Sequence, residues 1–276
     1  MDNLYILARR VLLDALGALG SHRDAVILVG AQAVYLRTGE ADLAVAPYTT
    51  DGDLVLDPSV LAEAPPVEAA LRTAGFLPRS GESVGAWVTT RRGVDGILAE
   101  VAVDLLVPAS VSPGKGRRAA RLPGHDPKLA RIVDGLDGVL VDADVMTLNA
   151  LEPADLRKFD IRVAGPAALL VAKMFKLNDR KGTDRLSDKD ALDVLRLLRG
   201  TSTEDMCRRM KNLQKDDRSA SAAAVAIQFM QDLFGRENAA GIQMVVRSAG
   251  MLANPKEIAV SCLLLATDLL DELQKC

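Results

Sequence analysis

A short apolar strand that ends in glycine, followed later by two aspartates with one residue between them, constrains the fold of this chain most. The strand pattern covers residues 25–29 and leads into Gly30 and Ala31, and the aspartates are Asp51 and Asp53. Glycine after a buried strand is typical of a tight turn into a helix, whose first N–H groups can bind phosphate. Residues i and i+2 of a strand face the same side, so both carboxylates are expected in one pocket.

A third carboxylate is predicted on another strand, which the apolar pattern places at residues 97–107. Asp104 is the candidate, and Glu100 stays an alternative because it has the same parity along that strand. Carboxylate oxygens together with substrate phosphate oxygens are the ligands that Mg²⁺ takes in proteins. The sequence therefore predicts a site for two magnesium ions, held by Asp51, Asp53 and a third acid.

The order of the predicted elements indicates the fold class. Helix-like periodicity and apolar strand patterns alternate in the first half of the chain, which predicts a compact mixed sheet with helices, and the second half is helical. The predicted helices are 3–19, 31–37, 66–73, 167–177, 187–199, 219–234 and 254–273, and the predicted strands are 25–29, 51–56, 84–90 and 97–107. We therefore expect an α/β (α+β) protein with a small mixed-sheet core in residues 1–150 and a C-terminal helical bundle in residues 151–276.

The order of these motifs resembles that of the nucleotidyltransferase (polymerase-beta-like) superfamily. A small-residue turn at Gly30-Ala31 precedes Thr50-Asp51-Gly52-Asp53, and Asp104 follows on a later strand. Lys173-Met-Phe-Lys176 and the Lys189-Asp190-x-x-Asp193 helix start are similar to later motifs of the AbiEii/MenT-type toxin branch. The resemblance covers about residues 25 to 200. Ala31 departs from the pattern, because it lacks the hydroxyl that a serine there offers to a phosphate.

The resemblance implies a role for each motif residue. It implies that the hydrophobic-Asp-Leu-Leu context of Asp104 makes this residue the third acid, in preference to Glu100. The residues that it implies for catalysis are Asp51, Asp53, Asp104, Lys173, Asp190 and Asp193, of which the first three hold the metal ions. Those that it implies for nucleotide binding are Gly30, Ala31, Thr50, Lys173, Lys176, Arg185 and Lys189.

The helix residues have alternative interpretations. Lys173 and Lys176 share a helix face, and the resemblance favours Lys173 as the residue that contacts the triphosphate, with a solvated lysine as the alternative. Asp190 occupies the acidic position of a capping box that begins at Ser187, which gives it a structural job. Asp190 and Asp193 also share a face, from which either can orient Lys173 or Arg185.

The function implied by the resemblance is Mg²⁺-dependent transfer of a nucleoside monophosphate from an NTP to an acceptor hydroxyl, with release of pyrophosphate. It further implies the 3′ end of tRNA as acceptor, and a toxin that is paired with a cognate antitoxin protein. One alternative is a small-molecule nucleotidyltransferase of the antibiotic-modifying kind. Another is a catalytically silent regulatory or binding protein with the same fold, which the alanine at position 31 motivates.

Composition narrows the remaining possibilities. A net charge of −3 gives no global nucleic-acid footprint, so any RNA contact must be local. The basic segment 112–128, with Lys115, Arg117, Arg118 and Arg121, is predicted to be either such a contact or a solvated loop. The sequence has neither a P-loop nor a Gly-x-Ser-x-Gly turn, and its two histidines lie in polar turns that we expect at the surface.

Cysteine usage and hydropathy favour a reducing compartment. The three cysteines are far apart and lack the paired spacings of metal sites, so we expect reduced thiols. No apolar run reaches the length of a membrane span. The sequence therefore predicts a cytoplasmic protein without a membrane partner.

Overall fold

The computed structural model describes residues 3–39, 49–81, 84–112, 118–180, 188–250 and 254–275. These residues form a mixed α/β fold with a mixed sheet and a helical C-terminal part, which confirms the predicted fold class. The helices are α1 (Asn3–Ala18), α2 (Gly30–Thr38), α3 (Val67–Thr73), α4 (Pro166–Asp179), α5 (Asp188–Gly200), α6 (Thr203–Lys215), α7 (Ala220–Phe234), α8 (Ala240–Ala249) and α9 (Pro255–Gln274). The strands are β1 (Val26–Val29), β2 (Asp51–Leu56), β3 (Leu77–Pro78), β4 (Ala86–Arg92), β5 (Leu98–Pro108), β6 (Arg131–Val133), β7 (Ala143–Asn149) and β8 (Lys158–Ala164).

The described strands form one sheet in the order β3-β4-β5-β2-β1-β8-β7, with β6 paired to β5. β1 runs antiparallel to β2 and parallel to β8, and β2 runs parallel to β5. Every residue of β1 is buried, as its uninterrupted apolar sequence requires. The two strands that carry the predicted acids, β2 and β5, are therefore direct neighbours in the middle of the sheet.

Helix α1 covers the face of β2 that lies opposite the aspartates. Leu12 of α1 is fully buried, and a Cβ on Gly52 would lie 3.1 Å from its Cδ1 atom. Glycine at this position lets the helix approach the strand closely. The alternation of β2 thus gives Gly52 and Leu54 to the core and leaves Asp51 and Asp53 on the other face.

The chain divides into two compact units. Unit 1 comprises Met1–Ala33, Pro47–Val133 and Ala143–Ala164, and unit 2 comprises Val34–Ala46, Asp134–Asp142 and Gly165–Cys276. The predicted division at residue 150 differs from this boundary, because β8 pairs with β1 and β7 and so belongs to the sheet. Its apolar residues alternate with polar ones, a strand pattern that the sequence analysis passed over.

Within unit 2, a buried aspartate fixes the start of α4. The Ala168 N–H donates to Asp142 Oδ2 at 3.0 Å, and the Arg209 guanidinium donates to Asp142 Oδ1 at 2.6 Å. A Cβ on Gly165 would lie 2.0 Å from the same carboxylate, so only glycine fits there. A carboxylate at a helix N-terminus satisfies an orphan N–H group and matches the helix dipole.

The expectation that both histidines lie at the surface is wrong. His22 is 2% exposed, and its Nε2 atom lies 2.7 Å from the Pro65 carbonyl oxygen. The His125 ring is also buried, with Nε2 2.9 Å from the Ala62 carbonyl oxygen, while Nδ1 accepts from the Val67 N–H at 3.2 Å. These partners are distant in sequence, so the local polar turns gave no sign of them.

Two of the three cysteines lie in the described residues, where Cys207 and Cys262 are free and buried, in agreement with reduced thiols; Cys276 lies outside the described residues. Burial raises the pKa of the Cys262 thiol to about 12, although the Arg199 charge opposes this shift. Among the described helices, none combines the length and the apolarity that crossing a membrane requires.

Candidate functional site

The sheet register brings two of the predicted acids side by side. Asp53 on β2 and Asp104 on β5 are paired residues of the parallel ladder, and Asp51 is paired with Ala102. Paired residues of neighbouring strands point to the same face, and Asp51 shares this face with Asp53. All three aspartates are partly exposed. One face of the sheet therefore presents three carboxylates to a reactant from solvent.

Gly30 packs closely against the Asp53 carboxylate. It directly follows β1, has a φ of +69° and is the first residue of α2. A Cβ at this position would lie 2.0 Å from Asp53 Oδ2, so the carboxylate occupies the space that any other side chain would need. Both the backbone conformation and this contact require glycine. Ala31, the next residue, is 7% exposed and belongs to the first turn of the helix.

Thr49, and not Thr50, contacts the acidic pair. The buried Thr49 hydroxyl donates to Asp51 Oδ1 at 2.6 Å, whereas Thr50 is exposed. The parity that places Asp51 and Asp53 on one face includes residue 49 and excludes residue 50, so the sequence held the signal for this contact. The predicted nucleotide contact of Thr50 stays a prediction.

A buried polar network holds the backbone of Asp51. The Gln32 amide donates from Nε2 to the Asp51 carbonyl oxygen at 2.9 Å, and its Oε1 accepts from Arg9 Nε at 2.7 Å. Arg9 also donates to the Asn149 carbonyl oxygen at 2.9 Å and to the Tyr5 hydroxyl at 3.2 Å. The network connects α1, α2 and β2 at the candidate site. Sequence reasoning missed it, because its members are far apart along the chain.

Arg131 is a further residue that the sequence analysis missed. Its Nη2 atom lies 3.2 Å from Asp104 Oδ2, and the two form an ion pair. Gly85 allows this approach: its φ is +77°, and a Cβ there would lie 2.5 Å from the Leu105 carbonyl oxygen and 2.7 Å from the Arg131 nitrogen. The glycine thus lets the start of β6 lie against β5, next to Asp104.

Glu100, the alternative third acid, has a different partner. It lies on β5 opposite Thr90 of β4, with its side chain 55% exposed, and its carboxylate is 3.6 Å from Arg79 Nε. Asp104, by contrast, is the register partner of Asp53. The register therefore favours Asp104 as the third acid, and the metal role of either residue stays a prediction.

The donor chemistry of this face fits magnesium in part. Mg²⁺ is commonly bound by one or two carboxylates together with water and substrate phosphates, which Asp51 and Asp53 can satisfy. Within the described residues, however, no three His, Cys, Asp or Glu side chains are grouped so that they can hold a metal ion. Asp51 and Asp53 therefore fit an ion that also binds a phosphate group of a ligand. Asp104 is paired with Arg131.

In unit 2, Lys173 lies in a buried ion-pair cluster. The side chain is 5% exposed, and its Nζ atom donates to Asp190 Oδ1 at 2.7 Å and to Asp193 Oδ2 at 2.6 Å. Burial lowers the pKa of Lys173, but the charges of Asp193 and Asp190 outweigh it and hold the pKa above its ordinary value. Lys173 is therefore a charged residue of the interior, and its predicted triphosphate contact stays a prediction.

Asp190 forms ion pairs with three cationic side chains. Its Oδ1 also lies 3.1 Å from Lys176 Nζ, and its Oδ2 accepts from Arg180 Nη1 at 3.0 Å. Burial raises the pKa of Asp190, but the charges of Lys173 and Lys176 outweigh it and hold the pKa well below its ordinary value. The carboxylate thus joins α4 to α5. Ser187, the first residue of the predicted capping box, lies outside the described residues.

The outer part of this cluster is cationic. Lys176 is exposed, with 44% of its side chain accessible, Arg180 is partly exposed, and Lys189 is exposed at the start of α5. Buried Arg196 adds a further cation, with its Nε atom 3.9 Å from Asp193 Oδ1. The exposed cations are suited to an anionic ligand. Arg185, together with Lys115 and Arg117 of the basic segment, lies outside the described residues.

Comparison with known proteins includes a distant structural likeness. No family model and no curated protein matches the chain. Among solved structures, the chain is similar to an antigenic nucleotidyltransferase-like protein from Paracoccidioides brasiliensis. The identity is 17%, the match covers 82% of this chain and 93% of that chain, and the TM-score is 0.41.

Proposed function

We propose that this chain is a nucleotidyltransferase that moves a nucleoside monophosphate from an NTP to an acceptor hydroxyl. The observation that supports this proposal is the pairing of Asp53 with Asp104 on parallel strands, with Asp51 on the same face and the start of α2 against Asp53. Such a face combines carboxylates for hard cations with helix N–H groups for phosphate.

The proposed reaction forms a bond between the acceptor oxygen and the α-phosphorus and breaks the α–β phosphoanhydride bond. Pyrophosphate leaves with its electron pair, and Asp104 assists removal of the acceptor proton. Asp51 and Asp53, with Asp104 as the proposed third ligand, would hold magnesium ions, which would supply positive charge to the phosphate oxygens. Thr49 and Gln32 fix Asp51 through its carboxylate and its carbonyl group, respectively.

Unit 2 carries exposed cations of its own. Lys176, Arg180 and Lys189 are suited to an anionic ligand, and Lys173 holds the two carboxylates that order α4 and α5. The finer proposal is that the acceptor is the 3′ end of tRNA and that the protein is a toxin with a cognate antitoxin.

Transfer is tested by incubating the purified protein with Mg²⁺, each α-labelled NTP in turn, and total tRNA or a panel of small hydroxylated acceptors. Label in tRNA supports the tRNA proposal, and label in a small acceptor supports the antibiotic-modifying alternative. Asp53→Asn is the matched control, and it should abolish the label in either case. Absence of both transfer and NTP binding contradicts an enzyme and favours the silent alternative.

The toxin proposal requires a separate test in cells. Expression of the wild-type chain should arrest bacterial growth, whereas Asp53→Asn at the same protein level should not. Equal growth of the two cultures, in a strain whose tRNA the purified protein modifies, contradicts the toxin role and leaves the transfer reaction intact.

A further inference from the structure

Arg131 forms an ion pair with Asp104, an acid of the candidate site. Its contact with Asp104 is a single one, between Nη2 and Oδ2 at 3.2 Å. Charge-assisted N–H···O bonds are usually 2.7–2.9 Å long, and arginine often binds a carboxylate with two parallel bonds. The Arg131–Asp104 pair is therefore long and monodentate, and it can be exchanged for a better partner.

The rest of the guanidinium remains available to a ligand. The side chain is 43% exposed, whereas its Nε atom is buried and has no hydrogen-bond partner within the described part of the chain, so a ligand would meet the terminal Nη atoms. A guanidinium carries five N–H donors in a planar fork, which matches two oxygens of a phosphate group. Arg131 thus has unused donors next to the acids that are proposed to hold magnesium.

A divalent cation at this site would compete with Arg131 for the Asp104 carboxylate. The ion would need lone pairs of Asp104 that Arg131 now shares, and two positive charges at one carboxylate repel each other. Binding of the ion would therefore favour departure of the guanidinium, which would then lie next to the bound nucleotide. An anionic phosphate oxygen is its natural new partner.

We propose that Arg131 exchanges partners during substrate binding: it neutralises Asp104 in the unliganded protein and binds a phosphate of the nucleotide once a divalent cation occupies the site. The inference rests on the proposed function. It assigns to Arg131 a binding role with two opposite effects, since the residue weakens metal binding on its own and strengthens phosphate binding in the presence of the metal.

These opposite effects define the test. Binding of Mn²⁺ to the nucleotide-free protein and binding of inorganic tripolyphosphate at saturating Mg²⁺ are measured for wild type, Arg131→Gln and Arg79→Gln. Arg79 is the matched control, because it is 45% exposed and pairs with Glu100. In Arg131→Gln we expect Mn²⁺ to bind about three- to tenfold more tightly and tripolyphosphate about tenfold more weakly. Arg79→Gln should change neither affinity.

Other outcomes separate the partner exchange of Arg131 from the proposed metal site. Arg131→Gln with unchanged or weaker Mn²⁺ binding overturns the exchange, while loss of Mn²⁺ binding in Asp53→Asn would still support the metal site. If wild type and Asp53→Asn bind Mn²⁺ equally, both the metal site and the exchange are rejected. Arg131→Lys keeps the charge and guards against misfolding of the glutamine variant. It should retain a Mn²⁺ affinity within about twofold of wild type while binding tripolyphosphate more weakly.

Discussion

Asp51 and Asp53 are held by different neighbours, although they share one face of β2. Asp51 accepts from the Thr49 hydroxyl, whereas the Asp53 carboxylate lies against the Cα atom of Gly30. A metal ion bound by Asp51 would have to accommodate the threonine, and one bound by Asp53 would lie beside the helix start. The proposed metal site therefore gives the two aspartates separate tasks.

Asp51 and Asp53 should each be indispensable for transfer. We expect Asp51→Asn and Asp53→Asn each to lower kcat/KM by about a hundredfold or more, because an amide is a weaker ligand and carries no charge. Both side chains are partly exposed, so the thermal unfolding temperature should change by only a few degrees. Wild-type turnover in either variant would show that the metal assignment is wrong.

The third acid is tested by comparing two residues of β5. Asp104→Asn should cost at least about tenfold more in kcat/KM than Glu100→Gln, since Asp104 is the register partner of Asp53 and Glu100 pairs with Arg79. Steady-state transfer assays on both variants provide the measurement. Equal losses of kcat/KM in the two variants would contradict the inference, drawn from the sheet register, that Asp104 is the third acid.

For single residues, the sequence predicted the contacts that follow from the alternation of side chains along a strand. Asp51 and Asp53 share a face because they are two residues apart, and the same rule would have selected Thr49 over Thr50. Arg131 and Gln32 could not be found in this way. The Arg131 contact depends on the pairing of β6 with β5 and on the close approach that Gly85 permits, and the Gln32 contact depends on how α2 packs beside β2.

At the scale of elements, the turn from β1 into α2 determines where Asp53 can lie. Gly30→Ala adds a methyl group 2.0 Å from Asp53 Oδ2 at a φ of +69°. Gly39 is a matched control, since its φ is +56° and a Cβ there meets nothing within 4 Å. We expect Gly39→Ala to cost about 1–2 kcal/mol of unfolding free energy and to retain transfer. Gly30→Ala should lose more stability and also lose transfer, and equal behaviour of the two would contradict the support role of Gly30.

The pairing of α4 with α5 gives a second prediction at this scale. Lys173→Met leaves two buried carboxylates without their shared cation, so the unfolding free energy should fall by about 3–5 kcal/mol. Lys176→Met, on the same helix face but 44% exposed, should cost less than about 1 kcal/mol. Chemical denaturation gives both values. A small loss for Lys173→Met would contradict the burial of this cluster.

Activity separates the structural role of Lys173 from the triphosphate contact that the sequence predicts. At a temperature where each variant is folded, a contact with the triphosphate predicts a loss of about a hundredfold in kcat/KM for Lys173→Met. If the exposed cations contact the triphosphate instead, the double variant Lys176→Met, Arg180→Gln should show a comparable loss in kcat/KM. Wild-type kcat/KM in both variants would contradict a nucleotide contact by any of these side chains.

For the whole molecule, the sequence predicted the class of fold and its helical second half better than its division. The β1, β2 and β5 strands have uninterrupted apolar runs or carry the acids, and each was recognised. β8 was missed, although Phe159, Ile161 and Val163 alternate with polar residues. Its place between β1 and β7 depends on long-range pairing, and this pairing extends unit 1 to residue 164.

The stability of the whole molecule should depend on acid pH through Asp190. Its pKa is lower in the folded chain than the ordinary value of 3.8, so the unfolded chain takes up this proton first as the pH falls. The stabilisation is therefore fully present above about pH 5 and is lost as the pH falls from there through the folded-state pKa. In urea denaturation, the difference between wild type and Asp190→Asn should be constant from pH 7 to pH 5. It should then narrow by up to about 1.4 kcal/mol per pH unit at lower pH, which corresponds to one proton. A difference that stays constant down to pH 3 would show that the folded chain does not lower the pKa of Asp190.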